Sequence, residues 1–202
     1  MAGIQVAGRN AAADGLAAVA THVGLLDASG TELTGGTPAY ARKAVTWNAA
    51  SAGIRTSVGA LLFDVPAVTV AFVGLYTAIT AGTNLTMMPV QGATSSLPKA
   101  CSYDTTGDIF TSVAHGLANG DRVIVSDVSS AGLQTSFDEN TVYFVITSTA
   151  NTFQLSLTSG GAAVTTTVSM NAFVTKCVPE VFAAQGQYNI AAAALAIDMN
   201  LI

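Results

Sequence analysis

The sequence predicts an all-β chain. It reads as a jelly-roll-like or β-sandwich host domain, with a smaller β-barrel or β-sandwich domain inserted and a short N-terminal helix. Three observations predict this. Thr141-Val142-Tyr143-Phe144-Val145-Ile146 and Thr152-Phe153-Gln154-Leu155-Ser156-Leu157 alternate with the period of two that a half-buried strand requires. Val58 to Val65 and Ala67 to Tyr76 are apolar on both parities, as strands inside a sandwich are. Gly and Pro punctuate these segments at Gly35-Gly36, Pro38, Pro66, Gly120 and Gly160-Gly161.

Taken in order, the Ala-rich stretch Asn10 to Ala20 predicts the helix, with Asn10 as its N-cap and Gly15 as a weak point. His22-Val23-Gly24-Leu25-Leu26-Asp27 then reads as a strand, and Tyr40 to Asn48 as a strand-like segment carrying Arg42 and Trp47. Around Pro98 the pattern changes to shorter, more polar strands, among them Asp121 to Ser126. After Pro179 the first pattern returns. The boundaries are therefore 1–98 plus 179–202 for the host domain and 99–178 for the insert. Leu195, Ile197, Met199 and Leu201 alternate as a closing strand, and tertiary context must override the helical propensity of Ala191 to Ala194.

Half the residues are hydrophobic and only 9% are charged, against about 25% in an average soluble domain. Mean hydropathy is +0.52. Such a composition reads either as a tightly packed β protein with a neutral surface or, the favoured expectation, as one that buries apolar area against other subunits. The net charge of −5 and seven scattered Lys and Arg residues leave no basic stripe for phosphate contacts, which argues against direct nucleic-acid binding. The apolar run Val65 to Ala81 contains Pro66 and Gly74 and is rich in β-branched residues, so it reads as strands and not as a membrane span. Met1 to Val6 lacks the basic patch and apolar core of a secretion signal, which predicts synthesis in a cytoplasm.

Candidate chemistry is sparse. The two histidines, His22 and His115, have no Gly-x-Ser-x-Gly elbow to serve, and both read as structural. The carboxylate clusters Asp138-Glu139 and Asp104 with Asp108 lie in turn contexts, where acidic side chains cap backbone groups. Catalysis of glycoside hydrolysis and weak calcium binding are the alternatives weighed against that role. Neither Gly pair is followed by the Lys and Ser/Thr of a phosphate loop. No cofactor and no metal site is expected, since two thiols and two distant histidines do not make a zinc set. Cys101 and Cys177 flank the insert almost symmetrically. If the insert enters and leaves through adjacent segments, the two would face each other as a disulfide or as a close pair of reduced thiols.

Several separated segments also carry a resemblance. Tyr40-Ala41-Arg42-Lys43-Ala44-Val45-Thr46-Trp47, Phe63-Asp64-Val65-Pro66, Val73-Gly74-Leu75-Tyr76, the His22 to Asp27 strand and Gln185-Gly186-Gln187-Tyr188 together resemble a family of small actinobacteriophage virion proteins, usually labelled tail fibre or minor tail protein. The insert, with Phe110 to Val123, Tyr143-Phe144-Val145 and Asn151 to Ser156, is similar to small β modules of phage structural proteins. These modules are labelled after the first catalytic-cysteine half-domain of the ubiquitin-activating enzyme, a label that implies no ubiquitin chemistry. The resemblance implies a non-enzymatic structural protein of a tailed-phage virion, made in the bacterial cytoplasm. Its partners would be further copies of itself, with a trimer as the first expectation, and capsid or tail proteins. A fibre shaft needs a coiled coil, a collagen-like tract or a repeat array, and none of these periods occurs, which tilts the expectation to capsid decoration. The alternative is a tail adhesin binding host-envelope carbohydrate, with Tyr103, Phe137, Tyr143 and Phe144 as the aromatic candidates.

Overall fold

The computed structural model describes residues 5–90, 98–127, 136–138 and 141–199. Glu139, Asn140 and Leu201, which the sequence places in turns and in the last strand, lie outside the described residues. The elements in chain order are α1 (Val6–Val19), β1 (His22–Leu26), β2 (Lys43–Ala44), β3 (Ile54–Thr56), β4 (Leu61–Val65), β5 (Thr69–Val70), β6 (Phe72–Tyr76) and β7 (Asn84–Pro89). There follow β8 (Lys99–Asp104), β9 (Ile109–Thr111), β10 (Arg122–Asp127), β11 (Tyr143–Ile146), β12 (Thr152–Ser156), β13 (Met170–Cys177), β14 (Glu180–Val181), β15 (Gly186–Ile190) and β16 (Ala196–Asp198). The chain is thus built mainly of strands with one helix. It divides into two compact units, Met1–Asp27 with Glu32–Met88 and Val181–Ile202, and Ala28–Thr31 with Pro89–Glu180.

In the first unit, a four-stranded sheet runs in the order β2-β1-β6-β7, accompanied by the two-stranded ladders β15-β4 and β16-β3. All five residues of β6 are buried, which is why its sequence is apolar on both parities. Phe63 and Val65 on β4 join Val23, Leu25 and Phe72 among the fully or almost fully buried side chains of this unit. The last strand, β16, buries Ile197 and pairs antiparallel with β3.

The helix corrects one expectation. It begins at Val6, with Gln5 at the N-cap position and no side-chain cap bond. Asn10 lies inside it, and its Oδ1 accepts the Gly53 N–H at 2.6 Å. Ala and Val carry the helix N-terminally past Asn10, whose amide is satisfied by a distant turn and is not needed as a cap. α1 packs its Ala13 and Ala17 side against β3 and β16. The strand expected over Tyr40 to Asn48 is short: only Lys43 and Ala44 pair in a ladder, and Trp47 forms an isolated bridge to Ser57. Ala191 to Ala194 forms a turn, with Ala193 at φ +60°, so the helical propensity is overridden.

The second unit contains a closed antiparallel barrel in the order β10-β11-β12-β9-β8-β13. Closure leaves every strand paired on both sides. Alternation sends Cys101, Tyr103, Phe110, Val123, Val125, Tyr143, Val145, Phe153, Leu155, Met170, Ala172 and Val174 inward. At eight residues, β13 is the longest of the barrel strands and joins β10 to β8.

Candidate functional site

The cysteines do not meet. The β8–β13 register sets Cys101 opposite Ala172, five residues along the same strand from Cys177. At about 3.3 Å per residue this separates them by about 16 Å along the strand, beyond the roughly 4.4–6.8 Å between α-carbons that a disulfide spans. Both are buried, and neither is in a disulfide. The ends of the insert do come together, since the Val178 N–H donates to the Val90 carbonyl at 2.7 Å. Cys177 lies one residue from that point, whereas Cys101 is level with Ala172, six residues from it along β13, so flanking symmetry in sequence does not become proximity.

Each remaining candidate has a defined place in the fold. His115 is buried edge to face with Phe153, ring centroids 4.8 Å apart, and its Nδ1 accepts the Leu117 N–H at 3.0 Å. His22 Nδ1 lies 2.9 Å from the Thr21 hydroxyl. Asp104 accepts the Thr106 N–H at 2.8 Å, closing its turn, and Asp108 accepts the Tyr103 hydroxyl at 2.7 Å. Asp138 is exposed. Among the described residues, no three His, Cys, Asp or Glu side chains gather as metal ligands. Of the aromatic candidates, Tyr103, Phe137 and Tyr143 are core, stacked edge-on among themselves and with Phe110. Phe144 alone of the four is half-exposed.

Two constellations are built from these parts. In the first unit, Gly24 on β1 faces Gly74 on β6. A Cβ on Gly24 would lie 2.7 Å from a Tyr76 ring carbon, and one on Gly74 2.8 Å from the same atom. Only glycine lets the Tyr76 ring lie across both strands. Arg42 stacks on that ring, 3.6 Å from its centroid, and its Nε and Nη2 each donate to Glu32 at 2.7 Å. Its Nη1 donates to the Ala78 carbonyl, also at 2.7 Å. The Tyr40 hydroxyl accepts the Leu25 N–H at 2.6 Å, and burial raises its pKa well above the usual tyrosine range. Gln185 clasps the turn before Tyr40, accepting the Thr37 N–H at 3.1 Å and donating to the Pro38 carbonyl at 3.3 Å. Tyr40, Arg42, Gly74, Tyr76 and Gln185, distant in sequence, therefore lock one sheet. Glu32, the partner of Arg42, carries no sequence signal of its own.

In the second unit, the loop before β10 is fastened by short polar side chains. Asn151 accepts the Ala114 N–H, Asn119 accepts the Ser148 N–H, and Asp121 accepts the Ala118 N–H. Gly116 and Gly120 adopt φ of +70° and +88°, which a β-carbon would strain. Lys176 closes the rim with a 2.7 Å ion pair to Asp121. Beside this loop lies an open depression of about 830 Å³ lined by Gly116, Gly120, Asp121, Arg122, Phe144 and Lys176, among others. Period-two alternation already puts Arg122 and Phe144 outside the barrel, but only the register makes them neighbours.

Comparison of the chain with protein-family models, with curated proteins and with solved structures finds no match.

Proposed function

We propose that the chain is a non-enzymatic structural protein of a tailed bacteriophage particle, a compact accessory subunit that packs as a homo-oligomer on the capsid surface. The first unit, taken as jelly-roll-like or a sandwich, is the attachment half. The observation that carries the reading is the mismatch between charge and exposed apolar surface. The whole chain has seven Lys and Arg and twelve Asp and Glu. Val113 is 80% exposed, Val181 72%, Leu157 60% and Ile79 56%. β7 forms one edge of the four-stranded sheet, which gives a neighbouring protomer both a ladder and an apolar surface to cover. The resemblance of the Tyr40 to Trp47, Val73 to Tyr76 and Gln185 to Tyr188 segments to actinobacteriophage virion proteins supports the same reading.

Electron microscopy of phage particles produced from a genome that encodes this chain tests it. Copies distributed over the shell are expected. Copies confined to the tail tip would replace capsid decoration with the minor-tail reading, and particles lacking the chain altogether would overturn both.

A further inference from the structure

We propose that the depression at the end of the barrel binds an acidic saccharide, with Arg122 taking a ligand carboxylate and Phe144 the apolar face of its sugar ring. The inference does not depend on where a particle carries the chain. The β11–β10–β13 register sets Phe144, Arg122 and Cys177 in one row, and this row forms a wall of the depression. Lys176 is committed to Asp121. Arg122 has no ion pair or hydrogen bond among the described residues, and its guanidinium carbon lies 5.7 Å from the Phe144 centroid. Arg42, by contrast, presses to 3.6 Å on Tyr76 with its donors filled. Arg122 thus retains both its donors and access to the ring beside it.

The chemistry narrows the ligand. A guanidinium presents a planar fork that matches a carboxylate with two parallel hydrogen bonds. Lys176 and Asp121 pair with each other, so among the described residues lining the depression Arg122 is the one charge without an opposite partner, which suits a singly charged carboxylate better than a doubly charged phosphate. β10, β11 and β13 are hydrogen-bonded on both sides, so an extended peptide finds no free ladder to join. A Cβ built on Gly116 or Gly120 would meet nothing within 4 Å, so the loop leaves open space beside these residues. The volume of about 830 Å³ lies within the roughly 300–1,000 Å³ of small-molecule sites.

Titration of the full chain with methyl galacturonoside, which carries a single carboxylate, followed by calorimetry and by amide chemical shifts, tests the site. Saturable binding is expected, with shifts centred on Arg122, Phe144 and Lys176. Methyl esterification of the sugar and Arg122→Gln should each weaken it about tenfold or more, the loss of one charge-assisted bidentate contact. Phe144→Ala should weaken it without changing the preference for the acid over the ester. Shift mapping on the unsubstituted chain keeps the test valid if a variant misfolds. Equal binding of acid and ester, shifts centred elsewhere, or no saturation below about 10 mM would overturn the proposal. Complete displacement by an equal concentration of inorganic phosphate would overturn the sugar in favour of a phosphate-bearing ligand.

Discussion

Gly24 and Gly74 show how a single missing methyl organises a sheet. The flat Tyr76 ring, the Arg42 stack and the Glu32 fork all depend on close approach at these two positions. Gly24→Ala places a carbon 2.7 Å from the ring and about 3.1 Å from Glu32 Oε1 and the Tyr40 hydroxyl. We expect a loss of about 1–3 kcal/mol, the usual cost of overpacking, read as a lower urea midpoint with an unchanged slope. The cysteines make a second prediction. Burial pushes the thiols of Cys101 and Cys177 up from 9.0 to about 11. The folded state then holds these protons more tightly than the unfolded chain does. Their contribution to stability is complete below about pH 9 and is lost as pH rises through about 11. Native protein at pH 7 should resist iodoacetamide at both thiols, and intact mass without reductant should show no disulfide; rapid alkylation in the folded state would contradict this burial. The turn roles of Asp104 and His115, each of which accepts a backbone N–H two residues on, were readable from their neighbours in sequence. Cysteine separation was not, because it depends on a strand register that no local pattern encodes.

At the level of elements, strand existence was more legible than strand length. Period-two alternation located β10, β11 and β12 to within two residues at either end. β13 escaped notice because Phe173 is apolar on the outward parity and Lys176 is charged on the parity of Met170, Ala172 and Val174, which breaks the alternation in sequence. The segment around Lys43 looked like a full strand, yet only Lys43 and Ala44 pair in a ladder, while the flanking Arg42 and Trp47 side chains bond Glu32 and the Ala20 carbonyl. The helix was found, though with its cap five residues too late, because Asn10 resembles a cap and works instead as a tether to Gly53. Gly15 lies within α1 with nothing inside 4 Å of an added Cβ. Gly15→Ala should therefore stabilise the chain by about 0.5–1 kcal/mol. Thermal melting checks this, and an unchanged or lower midpoint would mean that the exposed side of α1 is occupied in solution.

For the molecule as a whole, composition and fold pose a single physical problem. A chain with 9% charged residues keeps valines and leucines outside its two units. Well-formed cores of their own, with Phe110, Phe153 and Tyr103 in one and Phe63, Phe72 and Leu25 in the other, leave no need for those residues in folding. In the proposed function, neighbouring protomers cover them. The all-β class and the presence of a small β module were legible because they follow from local periodicity and turn residues. The depression beside Arg122 was not, because it is assembled by three strands and a loop. Sedimentation velocity of the purified chain across a hundredfold concentration range, about 1 to 100 μM, tests the central claim most directly. The account predicts a discrete oligomer that persists in moderate salt, as apolar burial would. A single monomeric species at every concentration would contradict it.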